Sequence, residues 1–322
     1  MITKKDLTRI KHYSSHYKTW LVLPSLLYGR KRALYDIIKI PYWLPLNAYL
    51  EHGANPAYSE MRLKLTAKSI YPFFLLNSNE HIRLLKKYTH KKVYSIGDVY
   101  ARFRRKFITK NPNSLGTLYF PHHSTRLINV HQDHQRICYE LKRLPKVFKP
   151  ITICLYWVEV VKGIHKIYEE NGFNVITNGH LYDDSFITRF YDNMKNYSYC
   201  SSNVTGSYAY YAVEMEIPFF IYGPEVEYYS NEKSHVVERG EKVEYEGSIQ
   251  QLAYQKKNEL FWYDDLEEVH ITDEQKEYVL GALGLNEEFN ESEIRRLIYW
   301  NSILYPITLL RYYVNKIKNK FF

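Results

Sequence analysis

At 322 residues the chain is long enough to bury a substantial core in one large domain or two modest ones. Its 45% hydrophobic and 25% charged residues are ordinary globular values and exclude wholesale disorder. The balance is basic, 44 Lys and Arg against 35 Asp and Glu, which suits an anionic partner such as a nucleotide, a nucleic acid or a membrane surface without choosing among them. Cys138, Cys154 and Cys200 show no CxxC spacing, so neither a disulfide framework nor a zinc site is supported and a reducing, cytoplasmic setting is expected. The segment Met1–Ile10 lacks the apolar core of a signal peptide, and no stretch is apolar for long enough to span a bilayer.

Taken in chain order, Trp43–Leu50 reads as a strand ending at Glu51-His52-Gly53. Pro72–Leu76 is a second strand ending at Asn77-Ser78, Asn79–Lys87 a helix behind a polar cap, and Val93–Ile96 a third strand ending at Gly97-Asp98. Lys110–Ser114 is a Pro- and Asn-rich linker. Beyond it the pattern becomes regular. Strands are expected at Leu118–Pro121, Ile151–Trp157, Phe173–Thr177, Tyr197–Cys200 and Pro218–Tyr222. Helices are expected at His134–Arg143, Val158–Glu170 (stopped by Asn171-Gly172), Ser185–Lys195 and Ser207–Glu216. This alternation predicts a parallel sheet covered on both faces, with ligands at the carboxyl ends of its strands. Residues 1–112 are read as a small α/β acceptor lobe and 113–290 as a donor lobe, with an acidic insertion at 225–290 that holds seventeen Asp and Glu against six Lys and Arg. Residues 291–322 are read as a basic amphipathic helix, opened by an Asn290/Glu293 capping box, that either packs across the lobes with its basic tip free for lipid headgroups or lies on an anionic membrane.

Four segments carry the candidate chemistry. Ser201, Ser202, Asn203, Thr205, Gly206 and Ser207 form a strand-to-helix turn suited to phosphate, with Gly206 permitting close approach; plain N-capping is the alternative. His122, His123, Ser124 and Thr125 follow a strand and suit a phosphate or leaving group; a polar surface loop is the alternative. His52, beside Glu51, is placed to take the proton of an acceptor hydroxyl, although a lone His at a strand end is often structural. Glu225 and Glu227 suit a ribose diol or a surface loop equally. Asp183-Asp184 invites a metal reading, but a paired Asp usually serves a turn or cap, and no metal or other cofactor is expected.

In order, these motifs resemble GT-B-type transferases of bacterial surface-polymer synthesis, namely the CDP-glycerol glycerophosphotransferases of teichoic acid synthesis and capsule or lipopolysaccharide glycosyltransferases. The residues concerned are His52-Gly53, Phe73–Ser78, Val93–Gly97, Tyr197–Asn203, Ala209–Met215 and Ile217–Tyr222. The resemblance implies two Rossmann-type lobes with parallel sheets facing a central cleft, His52 as base, His122 or His123 on the donor phosphate, and Ser201, Ser202 and Ser207 in the phosphate loop. Tyr199-Cys200 replaces the Asp usual before the serine pair, and Ala54–Ala57 follows His-Gly where glycerophosphotransferases have Thr-Pro-Leu-Lys, which favours a sugar donor. The expectation is a metal-independent transfer from a nucleotide-sugar to a glycan or lipid-linked acceptor, with peripheral contact to an anionic membrane and no nucleic acid partner. A polyol-phosphate transferase, a nucleotide-sugar 2-epimerase and a basic membrane- or nucleic-acid-binding protein are the rivals.

Overall fold

The computed structural model describes residues 2–16, 24–53, 60–125, 128–231, 240–243 and 258–321. The chain packs as two α/β units, one made of Met1–Leu21 and Ile108–Glu277, the other of Val22–Phe107 and Tyr278–Phe322. The sequence-based division at 112/113 differs in three places: the N-terminal helix belongs with the larger unit, the boundary lies at 107/108, and 278–322 packs with the smaller unit.

In chain order the elements are α1 (Lys4–His16), α2 (Arg30–Ile38), β1 (Tyr49–Leu50), α3 (Glu60–Ala67), β2 (Phe73–Leu76), α4 (Asn79–Leu85), β3 (Lys92–Ser95), α5 (Val99–Phe107), β4 (Thr117–Tyr119), β5 (Ile128–His131), α6 (His134–Arg143) and β6 (Ile151–Leu155). They continue with α7 (Trp157–Val161), α8 (His165–Glu170), β7 (Asn174–Thr177), α9 (Phe186–Met194), β8 (Tyr199–Ser202), α10 (Ser207–Glu214), β9 (Phe219–Ile221) and β10 (Glu227–Ser230). Helices at Asp273–Ala282, Glu291–Ser302 and Tyr305–Phe321 follow.

The larger unit is built on a parallel sheet in the order β7-β6-β4-β8-β9. Ile151–Leu155 and Phe219–Ile221 are buried throughout, on both faces, which is why these two strands read as largely apolar runs. Chain order starts in the middle at β4, runs outward through β6 and β7, then returns to the other side of β4 for β8 and β9. The place where the order reverses, between β4 and β8, is the topological switch point at which such sheets bind ligands. A two-stranded antiparallel ribbon, β5 with β10, is appended to this frame.

The expected helix Val158–Glu170 is two helices. Gly163, at φ +81°, breaks it between α7 and α8. The Asn171-Gly172 stop holds: Gly172 at φ +85° donates its N–H to the Glu169 carbonyl and Phe173 donates to Tyr168.

The smaller unit holds the parallel sheet β1-β2-β3. Phe74, Leu76, Leu63 and Leu85 form a buried cluster between its central strand and helices α3 and α4. The strand expected over Trp43–Leu50 is reduced to Tyr49–Leu50, preceded by a turn at Tyr42-Trp43 in which the Leu44 N–H donates to the Pro41 carbonyl. The Asn290 cap forms as expected, its side chain accepting the N–H of Glu293.

Candidate functional site

In the larger unit the loops after β4 and β8 meet at the switch point. The ladder runs one step past β4, with the Phe120 N–H donating to the Ser201 carbonyl (2.8 Å). The His122 N–H then donates to Asn203 Oδ1 at 2.9 Å. Asn203 Nδ2 reaches Gln132 Oε1 (2.9 Å) and the Pro224 carbonyl (3.2 Å), while Gln132 Nε2 donates to the His122 carbonyl (2.6 Å). Asn203 therefore clips together the loops that follow β4, β8 and β9.

His122 and His123 stand side by side, ring centres 5.7 Å apart. His123 packs on Tyr156 at 4.2 Å and His122 meets the Tyr228 ring edge-on at 5.6 Å. Burial lowers the His122 imidazole to about 3, helped by the neighbouring His123, and burial lowers His123 to about 4. Both rings are half-buried and neutral at physiological pH, and His122 Nδ1 is buried without a hydrogen-bond partner. Two neutral imidazoles can each give one N–H to a phosphate oxygen.

The loop beyond is internal. Ser124 is buried, its N–H donating to Glu159 Oε1 (3.0 Å) and its hydroxyl accepting from Lys162 Nζ (2.8 Å) and from the Val130 N–H (3.1 Å). Lys162 also donates to Asn129 Oδ1 at 2.9 Å. Thr125 is exposed and closes a turn, its N–H donating to the Ile128 carbonyl at 2.7 Å and its hydroxyl accepting the Ile128 N–H at 3.2 Å. Glu159 and Lys162 hold this loop in place and were not singled out in sequence. Their i,i+3 spacing directly after a strand was the available signal.

The serine turn is not the open cradle expected from its residue types. Ser201 and Ser202 are fully buried, and Asn203 and Thr205 are each 6% exposed. Tyr208 explains the closure. Its hydroxyl donates to the Val204 carbonyl (2.7 Å), so the 2.9 Å contact with Ser202 Oγ is a donation from the serine. The same ring stacks on Phe120, centroids 5.0 Å apart and 4° from parallel. A Cβ on Gly206 would lie 2.6 Å from that ring, so the glycine makes room for Tyr208. Gly206 and Ser207 remain half-exposed at the start of α10, where no side chain caps the helix. Ser201 Oγ and Thr205 Oγ1 are buried without hydrogen-bond partners.

Glu225 is exposed. Glu227 lies on the β10 edge, where Lys242 Nζ (2.7 Å) and the Tyr229 hydroxyl (3.1 Å) donate to its carboxylate and hold its pKa below the usual range. Asp183 is tied to Arg189 (2.6 Å) and Arg9 (3.3 Å). Among the described residues no group of three or more His, Cys, Asp or Glu is arranged to hold a metal ion.

In the smaller unit the carboxyl ends of all three strands are polar. Glu51 turns inward, 5% exposed, and accepts the Asn77 N–H on Oε2 (2.6 Å) while Oε1 lies 2.6 Å from His81 Nδ1. Asp98 accepts the N–H groups of Tyr100 and Ala101 and so caps α5. Glu51, expected beside the base, thus fastens β1 to β2 from a buried position. His52 points the other way. It is exposed and stacks on Tyr28, centroids 4.7 Å apart and 12° from parallel, with Tyr100 at 6.5 Å edge-on. Its imidazole is held well below the ordinary histidine range, first by the density of surrounding protein, then by the charges of Arg30 and Arg62. Tyr28, Gly29 and Arg30 were not singled out in sequence; a glycine opening a helix was their only signal.

No family model matches the chain, and no curated protein matches it. Among solved structures it is similar to a GtfA/B complex (TM-score 0.34, 13% identity, 81% of this chain and 52% of that one). It is also similar to the wall teichoic acid polymerase TagF (TM-score 0.35, 10% identity, 80% of this chain and 66% of that one). The chain spans between half and two thirds of the length of these two chains. At such TM-scores neither likeness identifies a function, and the site rests on its own geometry.

Proposed function

We propose that the chain is a GT-B-type glycosyltransferase that moves a sugar from a nucleotide-sugar to a glycan or lipid-linked saccharide in capsule or lipopolysaccharide synthesis, at the cytoplasmic face of an anionic membrane. The observation that carries this reading is the switch point between β4 and β8, where His122, His123 and the uncapped start of α10 lie at the carboxyl edge of a five-stranded parallel sheet. The donor phosphates are assigned to the imidazole N–H groups of His122 and His123 and the first N–H groups of α10, near Gly206 and Ser207. The acceptor's proton is assigned to His52, which stands exposed at the carboxyl end of β1 with its ring against Tyr28. No step in this scheme draws on a metal.

A thermal-shift screen of the full chain against CMP, CDP, UDP, GDP and their sugars tests the donor site. One nucleotide family is expected to raise the melting temperature of the wild type, and the His122→Ala/His123→Ala double variant is expected to lose that response. No response to any nucleotide would end the reading. If donor alone were converted without acceptor, epimerisation would replace transfer. In turnover with acceptor, His52→Ala is expected to cost on the order of 100-fold or more in kcat with an unchanged donor response. Near-normal turnover would remove His52 as the base.

A further inference from the structure

The smaller unit carries a surface that the proposed chemistry leaves unused. The helix Tyr305–Phe321 has 17 residues, a length of about 25 Å. Its inward side is set by Thr308, 5% exposed, with Tyr305, Leu309 and Tyr312 half-buried. Its outward side holds Ile307, Leu310 and Val314, spaced i, i+3, i+7 and 51%, 65% and 42% exposed. Trp300 in the last turn of the helix before it, and Ile303 and Leu304 in the link between the two, are exposed too. A soluble helix turns such a stripe to the core. Here it faces out.

Beside the stripe runs a groove of about 580 Å³. Ile307, Leu310 and Val314 are among its apolar lining residues, and its cations are Lys68, Lys91 and Arg311. No Asp or Glu is among the described residues that line it. Lys91 is pushed below the ordinary lysine range first by burial and then by the charge of Arg311, so like charges are held close together. Lys91 Nζ donates to the Ser69 carbonyl. Residues 305–321 contain Arg311, Lys316, Lys318 and Lys320 and no acid.

We propose that this face is a docking surface for an anionic lipid bilayer. Of the proposed function it takes only the contact with an anionic membrane, and it names the surface responsible. The charge pattern selects this occupant: apolar side chains enter the boundary between headgroups and acyl chains, while Lys68, Lys91 and Arg311 meet lipid phosphates. Trp300 and Tyr313 are the residue types that settle at such an interface. Among the described residues no helix is long and apolar enough to cross a membrane, so contact by this face lies in the plane of the surface.

The test is sedimentation of the full chain with large vesicles, made either of phosphatidylcholine mixed with phosphatidylglycerol or of phosphatidylcholine alone. Donor and acceptor are omitted, so the result is independent of whether the protein transfers a sugar. Binding to the mixed vesicles is expected, weakening as salt is raised. Arg311→Gln should lower the partition coefficient about fivefold, and Leu310→Asp about tenfold or more. Both positions are exposed, so melting temperature should hold; Arg311→Gln carries the test should Leu310→Asp unfold. Equal sedimentation with and without anionic lipid would overturn the proposal, as would unaltered binding by Arg311→Gln. A dimer of the free chain that Leu310→Asp dissociates would also overturn it, because the stripe would then be covered by a second copy.

Discussion

His122 and His123 hold their imidazoles at about 3 and about 4, against an ordinary value near 6.5 in an unfolded chain. Both shifts are downward, so as pH falls the unfolded state takes up protons first. The stability of the neutral pair is complete above about pH 6.5 and is lost as pH drops toward the folded values, at no more than about 1.4 kcal/mol per pH unit per group. His134 and His180, both lowered to about 4 mainly by burial, act in the same direction. Urea midpoints are therefore expected to fall between about pH 7 and about pH 5, and the His122→Asn/His123→Asn variant to show a shallower but nonzero slope. An unchanged slope would mean that the two rings are not buried as described. The same depression gives these residues a ligand-dependent property. A phosphate dianion beside them stabilises the imidazolium, so nucleotide binding at low pH should be accompanied by proton uptake.

Among the elements, strand ends are where the backbone is most constrained. Gly223 follows β9 at φ +120°, and a Cβ there would lie 2.6 Å from the Tyr119 hydroxyl and 3.2 Å from Asn203 Cβ. Gly223→Ala must therefore strain the backbone and displace both the Tyr119 bond to the Tyr222 carbonyl and the Asn203 clip. A destabilisation of about 1–3 kcal/mol in urea unfolding is expected, with weakened nucleotide response because the clip holds the His122 loop. Retained stability would show that the loop can relax.

Local signals of this kind explain what was legible in sequence. The helix His134–Arg143 and the Asn290 cap were readable to the residue, since both depend on neighbours a few positions away. The β5–β10 ribbon was not, because Ile128–His131 finds its partner at Glu227–Ser230, and no short-range pattern encodes that pairing. The two polar loops at the switch point were also legible. What hid the burial of Ser201 and Ser202 was Tyr208, which reads as one more helix residue and in fact fills the space beneath the turn.

At the scale of the molecule, the two units are each discontinuous in sequence, and this decides how substitutions propagate. A single cut in a Pro- and Asn-rich linker is what composition suggests, yet α1 belongs to the unit built from Ile108–Glu277. Its attachments are specific: Arg9 pairs with Asp183 at 3.3 Å, Tyr13 stacks on His180 with centroids 5.5 Å apart, and Ile10 is 1% exposed. The ion pair is half-open to solvent on the arginine side and contributes little. The buried Ile10 is the larger contribution, and Ile10→Ala is expected to cost about 2–4 kcal/mol through lost transfer energy and the cavity left behind. Because units with separate cores unfold with some independence, that cost should fall on one of them. Native-state hydrogen exchange of Ile10→Ala should show faster exchange in β6, β7 and α7, with β2 and β3 unchanged. Loss of protection in β2 and β3 instead would mean that the N-terminal helix supports the smaller unit, as the linear division of the sequence had it.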